Sequence, residues 1–133
     1  MRVFISHSQR DRGFVRKLVP YLTQAGCQVW SDAELGPGEN YPLAIGKALE
    51  RSNAMVVVLS PDAVQSAWVL GEIEYALGSP KFKGRLITVE VRPTKGTPWI
   101  LRKLNLIRAS KDFGQTARQI VTQLHQSTAK ASA

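Results

Sequence analysis

The stretch Ser66-Ala-Trp-Val-Leu-Gly-Glu-Ile-Glu-Tyr-Ala-Leu77 holds a carboxylate between two aromatic rings. At about 100° per residue, Val69, Leu70, Ile73, Ala76 and Leu77 form an apolar stripe, with Glu74 on the far side and Glu72 at the stripe's edge. Glu72 comes one turn after Trp68 and three residues before Tyr75, so the spacing predicts that indole, carboxylate and phenol share a face. A carboxylate placed there could stabilise developing positive charge, more strongly where water is excluded, and the rings could lie against a flat ligand. Equally, Glu72 could be an ordinary acid near a helix N-terminus, where the helix dipole favours negative charge. A second polar group, Ser6-His7-Ser8 with Ser60, stands directly after two apolar, strand-like runs. Ser6, His7 and Ser8 could hydrogen-bond a ligand, or Ser8 could simply cap the helix that follows.

The elements that must position these residues alternate along the chain. Residues 2–5 read as a strand. Ser8-Gln-Arg-Asp11 then resembles a capping box, and Phe14, Leu18, Tyr21, Leu22 and Ala25 recur at helical spacing up to Gly26. Residues 28–31 form a second strand, followed by a loop over 32–40 in which Gly36-Pro37-Gly38 breaks regular structure. Tyr41, Ala44, Ile45, Ala48 and Leu49 mark the next helix. The run Ala54-Met-Val-Val-Val-Leu59 is apolar throughout, as expected of a parallel strand covered on both faces. Ser60-Pro61 supplies a helix start, and the helix carrying Glu72 comes after it. Strands over 86–91 and 104–109 follow, then a helical face of Phe113, Ala117, Ile120, Val121 and Leu124.

This alternation predicts an α/β domain: a flavodoxin-like three-layer sandwich with a five-stranded parallel sheet in the order 2-1-3-4-5 and helices on both faces. The domain is expected over 1–127, with a disordered, fraying tail over 128–133. Ligands of such sheets bind beyond the carboxyl ends of the strands, between strands one and three, where Ser6, His7, Ser8 and Ser60 lie. A phospho-receiver needs acids at those positions to hold magnesium, and finds serines and a histidine instead. No Gly-rich dinucleotide fingerprint follows the first strand, and Gly36-Pro-Gly38 is too short and too late for a P-loop. His7 and His125 have no companions at metal-ligand spacing, so no metal site is expected.

The bulk composition fits one domain: 133 residues, 44% hydrophobic and 21% charged. No segment approaches the ~18 consecutive apolar residues of a membrane span. Met1 leads straight into the first strand, leaving no room for a signal peptide, and the single Cys27 forms no internal disulfide. A cytoplasmic setting without membrane contact is the expectation. The net charge of +8 gathers in basic clusters, yet no nucleic-acid recognition signature accompanies them. An acidic partner or a phosphate-bearing ligand is therefore expected ahead of nucleic acid.

Taken in order, Val3-Phe-Ile-Ser-His7, Val29-Trp-Ser-Asp32, Leu35-Gly-Pro-Gly38, Ile45 with Ala48-Leu-Glu-Arg-Ser52, Val56-Val-Val-Leu-Ser-Pro61 and Ser66-Ala-Trp68…Glu72 resemble the Toll/interleukin-1 receptor (TIR) domain family. The resemblance spans about residues 2–125. It implies one of two functions. Some members act only by TIR–TIR assembly; others cleave the nicotinamide–ribose bond of NAD+ and carry a Trp-x-x-x-Glu arrangement, matched here by Trp68 and Glu72. On the second reading NAD+ is a substrate, no bound cofactor is needed, and the products are nicotinamide with ADP-ribose or a cyclic isomer. Glu72 is then the catalytic acid, and Ser6, His7, Ser8, Asp32, Leu35, Ser60, Trp68 and Tyr75 are the candidate substrate contacts. Asp32 could instead organise the loop, and Trp99 could line the site or pack on a neighbouring subunit. The loop holding Gly36, Pro37 and Gly38 corresponds to the family's assembly loop, which implies a homo-oligomer, a role in bacterial defence signalling, and a separate sensor or effector partner. Two departures stand out: His7-Ser8 where Tyr or Arg is frequent, and Gly71 before the glutamate, where many members carry a charge.

Overall fold

The computed structural model describes the backbone of residues 1–31, 41–103 and 105–132, and the side chains of 1–31, 42–102 and 105–126. Five strands, β1 (Arg2–Ser6), β2 (Gln28–Ser31), β3 (Ala54–Leu59), β4 (Leu86–Glu90) and β5 (Leu106–Arg108), alternate with five helices. These are α1 (Arg12–Gln24), α2 (Tyr41–Arg51), α3 (Ala67–Leu77), α4 (Trp99–Lys103) and α5 (Phe113–Ser132). All strand pairs are parallel, in the order β2-β1-β3-β4-β5, which is the expected flavodoxin-like arrangement.

The two-residue period of a strand divides the core into two. Val3 and Ile5 of β1, Ala54, Val56 and Val58 of β3, and Ile87 and Val89 of β4 pack with α1 and α5. Phe4, Met55, Val57 and Leu86 point to the other face and pack with α2 and α3. Every residue of β3 is buried, which explains its unbroken apolar run. Ser6 stands two residues after Phe4 at the end of β1, so its side chain belongs to the α2/α3 face.

Several local readings shift. The buried face of α1 is Val15, Leu18 and Leu22; Phe14 is half-buried and Tyr21 is exposed. Gly26 ends this helix at φ 96°, a conformation that favours glycine. Ser8 caps a 3-10 turn over Gln9–Asp11 by accepting from the Arg10 N–H at 3.2 Å. The Asp11 carboxylate instead accepts from Ser60 and pairs with Arg92, and the Asp11 N–H donates to the Ser8 carbonyl, which is not the reciprocal pattern of a capping box. The helix α4 was not expected from the Pro- and Gly-rich segment around it. The backbone of α5 continues to Ser132, through the stretch read as a tail, where Ala129, Lys130 and Ala131 favour helix. No helix among the described residues is long and apolar enough to cross a membrane.

Candidate active site

The side chain of Glu72 is 6% exposed and lies on the buried face of α3 with Val69, Ile73 and Ala76. It is inside the apolar stripe and not at its edge, while Leu77 turns outward. The packing angle of α3 on the sheet decides this, and helical period alone does not set that angle. Ser66 starts the helix, its Oγ accepting from the Val69 N–H at 3.3 Å. A carboxylate buried among apolar side chains is costly unless hydrogen-bonded. Ser6 meets that need: its Oγ donates to Glu72 Oε1 at 2.6 Å, within the range of strong charge-assisted bonds. The end of β1 and the middle of α3, 66 residues apart in the chain, are thus joined at the carboxyl edge of the sheet.

Above this pair opens a concavity of about 540 Å³. Its α3 wall carries Trp68, Gly71, Glu72 and Tyr75, and its α2 wall carries Ile45, Gly46 and Leu49. Trp68 is 56% exposed and Tyr75 39% exposed, so both rings are open to a ligand. Lys81 ties the walls together: its Nζ donates to the carbonyls of Leu49 and Glu50, 2.7 Å each, and stands 5.6 Å from the Tyr75 ring centre. Hollows of about 510 and 610 Å³ lie beside Leu77–Lys83 and between β5 and α5, but no carboxylate lines either. Chemistry selects the Glu72 concavity; size does not.

The other expected site residues divide. His7 is buried; its Nδ1 lies 2.8 Å from the Ser8 carbonyl and its Nε2 3.4 Å from Ser31 Oγ. Ser60 donates to Asp11 Oδ2 at 2.5 Å and accepts from the Ala63 N–H. Arg92 pairs with both Asp11 and Asp62, 3.0 Å each, so Ser60 belongs to a network around Asp11, which Ser8 joins through its carbonyl, accepting from the Asp11 N–H at 2.9 Å. Neither they nor His7 line the concavity. Asp32, Leu35, Gly36, Pro37 and Gly38 lie outside the described residues. Trp30 stacks on Phe4 with centroids 5.0 Å apart, and Trp99 is 70% exposed on α4 and not among the residues that line the concavity. Among the described residues, no three of His, Cys, Asp and Glu gather where they could hold a metal ion.

The TIR domain family matches residues 3–124. This chain is a TIR domain. It is 38% identical over 68 residues to a probable 2' cyclic ADP-D-ribose synthase, TcpO, of Methanobrevibacter olleyae, covering 50% of this chain and 20% of that protein. It is 30% identical over 122 residues to human Toll-like receptor 6, covering 87% of this chain and 15% of the receptor. Among solved structures, the TIR domain of the Toll-related receptor TRR-2 from Hydra magnipapillata superposes with a TM-score of 0.73 at 22% identity, covering 92% of this chain and 97% of that one. The chain therefore spans a fifth or less of the length of these two curated relatives.

Sequence reasoning missed three features of this TIR domain. The α2 wall was read only as core, because its apolar residues follow the same helical period whether they face protein or a cavity. Asp11 looked like half of a capping box, and Ser31 like an unremarkable strand end. The register that sets Ile5 beside Ser31 brings that serine to His7, and only the strand order could have signalled it.

Proposed function

We propose that this TIR domain cleaves the nicotinamide–ribose bond of NAD+, with Glu72 as the catalytic carboxylate. The carrying observation is the Ser6-bonded Glu72 carboxylate in the wall of a concavity that Trp68 and Tyr75 also line. Departure of nicotinamide takes the bonding electron pair with it and leaves an oxocarbenium-like ribose. A fixed carboxylate beside the sugar stabilises that charge, and apolar walls strengthen the effect by excluding water. Water attack then gives ADP-ribose with loss of a proton, whereas attack by an adenine nitrogen gives a cyclic isomer. The synthase name of the M. olleyae relative supports this class of chemistry.

On this reading the domain works in bacterial defence signalling inside the cell. It is activated by homo-oligomerisation through the loop 32–40, in response to a sensor or effector partner. Incubation with NAD+ and chromatography of the products tests the reaction. Nicotinamide release that disappears in Glu72→Gln is the expected result; equal release by the variant overturns the assignment. The second reading is an interaction module without catalysis, favoured by the similarity to a receptor along 87% of the chain. Absence of turnover at high protein concentration, together with TIR–TIR association, is its signature.

A further inference from the structure

Gly46 and Gly71 stand in the interiors of α2 and α3, one on each wall of the concavity. Short of proline, glycine is the least favourable residue in a helix interior, so two at one site require a reason. The usual reasons are a left-handed backbone or close contact with a neighbour. Neither applies. Among the described residues the glycines with positive φ are Gly26, Gly84 and Gly96. Among the described residues, a Cβ built on Gly46 or Gly71 meets no heavy atom within 4 Å beyond its chain neighbours and its own helix backbone, whereas one on Gly114 comes 3.2 Å from Asp112 Oδ1. What the two glycines do share is open space on the side of Glu72, Trp68 and Tyr75.

We infer that Gly46 and Gly71 are specificity-determining residues that keep a flat slot open for a planar heteroaromatic ring of the substrate. Without a Cβ, the backbone of α3 beside Glu72 can be approached closely by a ring edge or face, and the exposed Trp68 and Tyr75 bound that space. A Cβ at either position meets none of the described atoms, so a larger side chain there would take up space in the slot and leave the helix backbone unstrained. The inference rests on the proposed reaction for the identity of the ligand, a nicotinamide or adenine ring. It does not rest on that reaction for the slot itself.

The experiment pairs stability with kinetics. Gly46→Ala and Gly71→Ala should each raise the melting temperature by about 2–4 °C, through helix propensity alone. Gly46→Leu and Gly71→Leu should stay at least as stable as wild type while KM for NAD+ rises about tenfold or more, with kcat changed far less. Wild-type KM in both leucine variants, or a fall in melting temperature in both alanine variants, overturns the inference. Should the wild-type domain release no nicotinamide, the reaction fails and the slot is tested separately by equilibrium dialysis with nicotinamide and with adenosine. Binding of either ring that weakens about tenfold in Gly71→Leu supports the slot and identifies the ring it takes. No binding of either, or binding unaffected by leucine, overturns it.

Discussion

At the scale of single residues, Glu72 occupies a place that an apolar side chain would fill with less desolvation. Ser6 contributes to its tolerance there, its hydroxyl donating to Oε1. Ser6→Ala removes a hydrogen bond to a charged group, and a loss of about 1.5–3 kcal/mol in denaturant melts is expected. Turnover should fall with it, because the carboxylate loses the bond that fixes its position. Glu74 is exposed on the opposite side of α3, so Glu74→Ala should change stability by less than about 0.5 kcal/mol and leave kcat alone. Equal activity losses in the Glu72→Ala and Glu74→Ala proteins would remove Glu72 from its role. The helical period placed Trp68, Glu72 and Tyr75 together, and the structure lines one concavity with all three. The partner of Glu72 was not legible, since nothing local links residues 66 positions apart.

At the scale of elements, the walls of the concavity are two helices that share an apolar core and are bridged by Lys81. The last carbonyls of a helix lack partners within it, and Lys81 supplies charged donors to two of them in α2 while lying against Tyr75 of α3. Lys81→Met should therefore cost about 1–2 kcal/mol and raise KM more than it lowers kcat, with Lys81→Arg restoring part of both. Steady-state kinetics beside thermal melts will check this split. The junction between α1 and β2 offers a second test. Burial of Cys27 pushes its thiol pKa above the ordinary value, with a smaller opposing effect from the N-terminal amine. The folded state therefore holds the thiol proton more tightly than the unfolded chain does. Its stabilising effect is complete below the unfolded thiol's pKa of about 8.5 and is lost as pH rises through the folded value. Melting temperatures measured from pH 8 upward should fall less steeply in Cys27→Ala than in wild type. Strands and long helices were legible because their apolar periods are pure; α4 was not, since its five residues follow Thr97-Pro98 and show no full period.

At the scale of the whole molecule, the two-sided sheet makes a scaffold whose first strand is tied at its carboxyl end to the α2/α3 layer by the Ser6–Glu72 bond. The strand order was legible from the alternation of elements, and it directed attention to the end of β1. Two clusters lie near the carboxyl ends of β1 and β3, Ser6 with Glu72 and Ser60 with Asp11, and the concavity opens on the first, between α2 and α3. Serines at strand ends look alike in sequence, whichever network they join. If assembly through the loop 32–40 completes the site, activity per molecule should rise with protein concentration, and Pro37→Ala should flatten that rise. Turnover that stays constant from dilute to concentrated protein would exclude this coupling.

The alternation of β1 between two cores also bears on how such a domain can diverge. Phe4 and Ser6 share a face because they are two residues apart, and Val3 and Ile5 anchor the opposite one. Inserting or deleting one residue within β1 would exchange the faces, turning the hydroxyl from Glu72 and driving phenylalanine into the wrong layer. Substitutions can therefore accumulate along the surface of a lineage, while changes of length within this strand are closed to it. A library of single-residue insertions should show survivors at the turns between elements and a sharp gap across residues 2–6.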